Sequence, residues 1–276
     1  MTKTRSPRCA VLVPSGRSWE ADTAMSVISI ISYAAVPGVP TMIINEKSSV
    51  ISQARNNLVA RAREHGAEYG LFIDTDIVAP PETLCHLLSH KRDIVGCFYP
   101  KRVHPYETLG VPLLETLKSN PFSGDQVVEY AMLPAGCLLI RLSIFDFIPE
   151  PWFFETQRRP GRPVESMIAL LADHCSIPLS PDALAVIRGK DVKEWCDHEH
   201  DVYKSRYLGK YISEDYNFCI KARRYGYKIW CDMDWSFRLG HIGEHIITCQ
   251  KPDGDFMLPS KTDKSLMDVL SNPPSQ

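Results

Sequence analysis

Three short stretches hold residue types that do chemistry. Asp74-Thr75-Asp76 follows the apolar run Leu71-Phe72-Ile73 and precedes Ile77, Pro80 and Pro81. Side chains alternate along a strand, so this spacing predicts two carboxylates on one face at a strand's carboxyl end. Open α/β sheets bind ligands at that edge. Converging carboxylates repel unless a cation shares them, and a hard ion such as Mg²⁺ or Mn²⁺ suits oxygen ligands and can hold a diphosphate. A polar turn closing a strand is the plainer alternative. Gly240-His241-Ile242-Gly243 sets a histidine between glycines, where a ligand can approach. Neutral imidazole is a good partner for Mn²⁺, although a surface-loop histidine has the same look. His245 can pair with His241 for zinc only on a helix, and Gly243 between them argues against one. Ser213-Glu214-Asp215 reads as a helix start, with Ser213 capping and the acids complementing the dipole. Either acid can instead be the base that takes a proton from an attacking hydroxyl.

Two further groups are weaker. Cys196-Asp197-His198-Glu199-His200, with Asp173-His174-Cys175 upstream, mixes zinc ligands with acids, but no C-x-x-C pair is present and a solvated loop explains it as well. Arg55-Asn56-Asn57 lies on the helix before the Asp74 strand, where a guanidinium can meet a phosphate or a base edge, or simply face water.

The elements that must position these residues alternate. Cys9 to Val13 reads as a buried strand stopped by Pro14-Ser15-Gly16, Ala24 to Ala34 as a helix, and Thr41 to Ile44 as a second strand. A helix capped by Ser48 or Ser49 carries Ile51, Ala54, Leu58 and Ala62 on one face and ends at Gly66. Tyr69–Ile73 is a strand, Pro80-Pro81 opens a helix through His90, and Asp93 to Phe98 is a strand again. This is the pattern of a doubly wound, mostly parallel sheet flanked by helices. Further on, a strand over Ala131 to Arg141 is broken by Pro134-Ala135-Gly136, a short helix spans Ser143 to Phe147, and Trp152-Phe153-Phe154 looks like an inward-facing strand. Periodicity fades over residues 157–210, which read as an insertion or lid. It returns with a helix from Ser213 to Tyr225 and a strand from Tyr227 to Cys231. Residues 251–276 read as a tail rich in Pro, Lys, Asp and Ser.

The chain has 276 residues, 44% hydrophobic and 23% charged, enough for one large α/β domain with an insertion. Its net charge of -2 and pI of about 6.5 argue against a general nucleic-acid binder. Nine scattered cysteines, mostly in apolar runs, fit free thiols in a reducing cytosol. The basic stretch Met1 to Arg8 lacks the apolar core of a signal peptide, and no apolar run reaches the roughly 18 residues of a membrane helix. A soluble, cytoplasmic protein without a transmembrane segment is expected.

The order of the motifs resembles a known family. It runs Val13-Pro14, Ala54-Arg55-Asn56, Phe72-Ile73-Asp74-Thr75-Asp76, Pro134-Ala135-Gly136-Cys137-Leu138-Leu139-Ile140-Arg141, Ser213-Glu214-Asp215-Tyr216-Asn217-Phe218-Cys219 and His241-Ile242-Gly243. This order is similar to GT-A glycosyltransferases, in particular the short family-2-like proteins of bacteria and phages, across roughly residues 9 to 245. The resemblance implies a Rossmann-like, mostly parallel central sheet in a single domain over residues 1–250, with residues 157–210 inserted. It implies a UDP- or GDP-sugar donor, a Mn²⁺ or Mg²⁺ ion, and an acceptor hydroxyl on a glycan, protein or small molecule. By the same resemblance Asp76 ligates the metal, Asp74 touches the metal or the ribose, and His241 is the third protein ligand. Pro14, Ser15 and Gly16 then line the nucleoside pocket with Arg55 nearby. Ala135 and Gly136 pass close to the donor sugar, and Asp215, or failing it Glu214, is the base of an inverting displacement. Two rivals stand beside it. One is a nucleotidyltransferase-like enzyme, for which Gly16-Arg17 is a poor match to the expected glycine-rich basic signature. The other is a catalytically silent sugar- or partner-binding protein of the same fold.

Overall fold

The structure, a computed structural model, describes residues 6–102, 108–113, 127–157, 211–243 and 246–248. The expected insertion beyond Gln157, the Cys196–His200 and Asp173–Cys175 groups, His245 and the tail all lie outside them. The chain divides into two compact units, one of Met1–Phe154 with Ser213–Lys264, the other of Glu155–Ile212 with Ser265–Gln276.

The first unit opens with alternating elements: β1 (Cys9–Ser15), α1 (Ala21–Ala35), β2 (Thr41–Lys47), α2 (Ile51–Glu64), β3 (Tyr69–Ile73), β4 (Ile77–Val78), α3 (Thr83–Ser89) and β5 (Ile94–Gly96). Short strands follow, β6 (Tyr99–Pro100), β7 (Thr108–Leu109) and β8 (Val111–Pro112), then β9 (Val127–Met132), β10 (Cys137–Arg141) and a 3-10 turn over Leu142–Asp146. In the second unit β11 (Thr156–Gln157) pairs antiparallel with β12 (Tyr211–Ile212). The first unit resumes with α4 (Glu214–Arg224), β13 (Ile229–Asp232), α5 (Met233–Ser236), β14 (Gly240–Ile242) and β15 (Ile246–Thr248).

The main sheet has eight strands in the order β2-β1-β3-β10-β5-β13-β9-β8. β1, β2 and β3 are mutually parallel, as are β5 and β13; β10 runs against both β3 and β5, and β9 runs against β13 and β8. The fold is thus mixed α/β, a mostly parallel central sheet flanked by helices. β1 is buried throughout and apolar from Cys9 to Pro14 because it lies between β2 and β3 and is covered on both faces. Cys9, Val11 and Val13 join Leu71 and Ile73 in one cluster with Val27, Ile30 and Ala34 of α1 and Leu84 and Leu87 of α3. The alternate residue Phe72 faces the other way and meets Phe153 edge-on at 5.3 Å, and Phe153 stacks on Phe218 of α4 at 4.7 Å. Period-two alternation in the strands therefore serves two helical layers.

Four details depart from the sequence pattern. Residues 131–141 are not one broken strand: β9 and β10 lie three places apart in the sheet, and Pro134-Ala135-Gly136 is the crossing between them. Trp152-Phe153-Phe154 is not a strand. Its backbone is held instead by two side chains: Asn56 Oδ1 accepts the N–H groups of Trp152 and Phe153, both at 3.0 Å, its Nδ2 donates to the Phe153 carbonyl at 2.7 Å, and Asn217 Nδ2 donates to the Phe154 carbonyl at 2.9 Å. Neither Ser48 nor Ser49 is the N-cap of α2; that position is Val50, whose own N–H donates to Ser48 Oγ at 3.0 Å. Ser213 does occupy the N-cap of α4, but its hydroxyl donates to the Asp215 carboxylate and caps nothing. Asp215 Oδ1 accepts the Tyr216 N–H at 2.8 Å and takes over that role.

Asn56→Ala strips three backbone groups of their partners and loosens the loop that carries Phe153 into the core. The variant is expected to lose about 1–3 kcal/mol, read as a lower urea midpoint at unchanged slope; an unmoved midpoint would show that water replaces the side chain at no cost.

Candidate active site

The site lies where β1 and β3 end. Parallel pairing of Leu12 with Phe72 brings Ser15 and Asp74 to the same edge of the sheet, and the Glu20 N–H bonds the Thr75 carbonyl at 3.1 Å, tying the β1 loop to the β3 loop. Pro14 and Ser15 are buried and Gly16 is exposed. Ser15 Oγ accepts from Asn45 Nδ2 at 2.7 Å. Because β10 is antiparallel to β3, the loop that enters it arrives at this edge too, and the Asp74 N–H bonds the Gly136 carbonyl at 3.2 Å.

Strand alternation does not govern Asp74 and Asp76. β3 stops at Ile73, and a turn follows in which the Ile77 N–H bonds the Asp74 carbonyl at 3.2 Å. The two carboxylates consequently part. Both oxygens of Asp74 accept from Nη2 of Arg55, at 2.9 and 3.1 Å. Asp76 faces β14, whose pairing sets His241 opposite Ile77, and the Ile242 N–H bonds the Asp76 carbonyl at 2.8 Å.

Arg55 sits at 2% exposure, with Phe72 beneath its guanidinium and Glu214 Oε1 3.0 Å from Nε. It bridges α2, the end of β3 and the start of α4, and its Nη1 is buried without a partner. Burial works against the charge, but Asp74, Glu214 and Asp215 outweigh it and hold Arg55 above its ordinary pKa. Burial also pushes the Asp74 and Glu214 carboxyls up, Arg55 pulls each down, and Asp215 pushes each up; the net is upward for both. Of the two acids at the head of α4, Glu214 is buried in its ion pair and Asp215 is half-exposed. Asp215 Oδ2 accepts the Ala135 N–H at 3.2 Å.

Ala135 and Gly136 are buried, and both N–H groups are spent within the protein, the second on Tyr99 Oη at 3.1 Å. A Cβ at Gly136 would stand 2.3 Å from Tyr99 Oη. Glycine is therefore required there by the Tyr99 ring.

Around Asp76 an imidazole and a carboxylate meet. His241 Nδ1 lies 2.7 Å from the Pro100 carbonyl, which can only accept, so that nitrogen carries a proton. Nε2 then faces Asp76 Oδ2, 3.5 Å away: with a proton it pairs with the carboxylate, and without one its lone pair can share a cation with it. Such a pair needs a proton or a cation between its atoms. Arg102 Nη1, 2.9 Å from the same oxygen, supplies positive charge and stands in for that cation. Burial raises the Asp76 carboxyl, but His241 and Arg102 together hold it below the ordinary range. Ligands of one octahedral ion stand about 3 Å apart, so Asp76 and His241 fit a divalent cation. Asp74 does not converge with them: the one trio of ligand groups with all atoms within 4.8 Å of one another, among the described residues, is His86, His90 and Asp232. A cavity of about 950 Å³ lined by Tyr69, Arg63 and Arg141 lies at the opposite end of β3 and includes none of these groups.

Sequence reasoning found Arg55, Asp74, Asp76, His241, Glu214 and Asp215, named Asn56 beside Arg55 without seeing its grip on the Trp152–Phe153 backbone, and passed over Arg102 and Tyr99. Tyr99 and Arg102 follow β5 within a few residues and carry no motif. The six described cysteines outside disulfides fit the expected free thiols, and burial pushes Cys9 up to about 12, which keeps it protonated and inert. No described helix is long and apolar enough to cross a membrane.

The sequence matches no known protein family and no curated protein. Solved structures are similar to it at low identity. A197 from STIV shares 12% identity at a TM-score of 0.45, over 92% of this chain and 95% of that one. A glycosyltransferase involved in the glycosylation of the major capsid of PBCV-1 shares 11% at 0.31, over 62% and 79%. GalNAc-T7, solved with UDP, GalNAc and Mn²⁺, shares 10% at 0.46, over 86% and 44%. Likeness at this level assigns no residue a role.

Replacing Arg55 by Met is expected to cost about 3–5 kcal/mol, because it strands two enclosed carboxylates. The loss has a pH signature. Without the guanidinium the Asp74 and Glu214 carboxyls rise further, so the destabilisation is full above their folded pKa values and is relieved as pH falls through them. Urea unfolding at about pH 8 and about pH 5 should show a smaller deficit at the lower value; equal deficits would mean that neither carboxylate is charged and enclosed in the variant.

Proposed function

We propose that this chain is a divalent-metal-dependent glycosyltransferase, working in a reducing cytosol, that moves a sugar with inversion from a UDP- or GDP-sugar to an acceptor hydroxyl. The observation that carries the proposal is the Asp76–His241 pair, a carboxylate oxygen and an imidazole nitrogen 3.5 Å apart at the carboxyl edge of the sheet with a guanidinium already on the carboxylate. Asp76 and His241 would hold Mn²⁺ or Mg²⁺, which when bound neutralises charge growing on the nucleoside diphosphate. His241 keeps its orientation through Pro100. The base and ribose of the donor would lie against Pro14, Ser15 and Gly16, where the exposed Gly16 leaves room. Asp74, aimed by Arg55 away from the Asp76–His241 pair, would address the ribose and not the ion, and the unpartnered Nη1 of Arg55 is the spare donor beside it.

Asp215 is the favoured base. Glu214 is enclosed and its carboxylate is spent on Arg55, which makes it a positioning residue. Asp215 is half-exposed, and the Ala135 N–H on Oδ2 fixes its direction while leaving that oxygen a lone pair for an acceptor proton.

Calorimetric titration of UDP and GDP with Mn²⁺, with and without chelator, tests the metal. Affinity should fall by about 10–100-fold on chelation and in Asp76→Asn and His241→Ala; equal affinity in all arms would remove the metal from the mechanism. Asp215→Asn should lower kcat for transfer or donor hydrolysis by about 10²–10⁴ and leave donor affinity alone, whereas Glu214→Gln should chiefly cost stability. Normal turnover in Asp215→Asn with none in folded Glu214→Gln would reverse the two roles.

A further inference from the structure

Outside the candidate active site, α3 carries His86, and its C-cap is His90, four residues on and on the same face. Both rings point at one atom: His86 Nε2 and His90 Nε2 each stand 2.7 Å from Asp232 Oδ2, at the end of β13. We propose that these three side chains bind one divalent transition-metal ion of the zinc class, separate from the Asp76–His241 pair and independent of the glycosyltransferase function.

Five features support a built site. The ligand set, two imidazoles and a carboxylate, suits Zn²⁺ and its neighbours and not Mg²⁺. Asp232 is enclosed, its side chain 5% exposed, and among the described residues no lysine or arginine balances it. Its orientation is fixed from behind, since Oδ1 accepts the Trp235 N–H at 2.8 Å and so turns Oδ2 to the rings. The Trp235 indole stacks on His86 at 3.9 Å and is itself held by Nε1 donating to Thr83 Oγ1 at 2.9 Å. Such outer contacts are what hold metal ligands in register. The side chains of His86 and His90, 34% and 20% exposed, leave an ion a way in from solvent and a face for a water as fourth ligand. In the structure the two Nε2 atoms crowd one oxygen as hydrogen-bond donors. An ion would be held by the same three atoms with each ring's proton on Nδ1. Binding would clip the last turn of α3 to a strand end 146 residues further along.

The test uses the full chain, stripped of metal and titrated with Co²⁺ as the probe, followed by visible absorption. One equivalent should give the intense band of a four-coordinate ion, displaced by one equivalent of Zn²⁺ and indifferent to excess Mg²⁺. Affinity should drop at least tenfold in His86→Ala and in His90→Gln, and persist in an Asp76→Asn/His241→Ala protein. If His86→Ala does not fold, His90→Gln decides, with circular dichroism as the check. No band in the unaltered protein, a band untouched in folded His90→Gln, or a band lost with Asp76 and His241 would each overturn the proposal. None of these outcomes bears on nucleotide affinity, so the two proposals fail separately.

Discussion

A single buried guanidinium organises this molecule. Arg55 reaches from α2 to Asp74 at the end of β3 and to Glu214 at the head of α4, and among the described residues it is the one positive charge paired with both acids. Desolvating three ionised groups is expensive, and the arrangement holds because each charge has a partner with hydrogen-bond geometry. Its consequence is positional. The Asp74 carboxylate cannot swing toward Asp76, and α4 cannot rotate without uncovering Glu214, so Asp215 next to it is delivered to the loop at Ala135. One interaction thereby sets the places of three acids that a sequence shows only as separate pairs.

The reversal of β10 is the second constraint. In a sheet of uniformly parallel strands, every segment arriving at the ligand edge would be a strand's exit. Here one entry, Pro134-Ala135-Gly136, is brought to the same edge and threaded between Tyr99, Asp215 and the Asp74 backbone. Its N–H groups are spent inside the protein, so the loop braces the site more than it touches what binds there.

Much of the first hundred residues was legible in the sequence, because parallel strands covered on both faces are near-continuous apolar runs and amphipathic helices alternate with them. Asp74, Asp76 and His241 were legible as residue types, and His241 does meet Asp76. What a pattern cannot carry is direction. The strand rule sends Asp74 and Asp76 the same way, and a turn beginning one residue after Ile73 sends them apart. The family resemblance put Gly136 beside the donor sugar; in the structure it is Tyr99 that a side chain there would meet. Trp152-Phe153-Phe154 has strand-like composition but finds its hydrogen bonds on Asn56 and Asn217. Neither His86 with His90 nor Asp232, remote from them in the chain, was singled out in the sequence.

The strand order also bears on how the chain is made. β5 ends at Gly96, yet its partner on one side, β13, closes only at Asp232. At about 5–20 residues per second on the ribosome, that edge stays open for roughly 7–27 s after β5 is synthesised. Until residue 214 is made, for most of this interval, Arg55 also lacks Glu214. Seven of the eight strands thus emerge before β13 can complete the sheet, and the nascent chain has to be kept from pairing that open edge with another molecule.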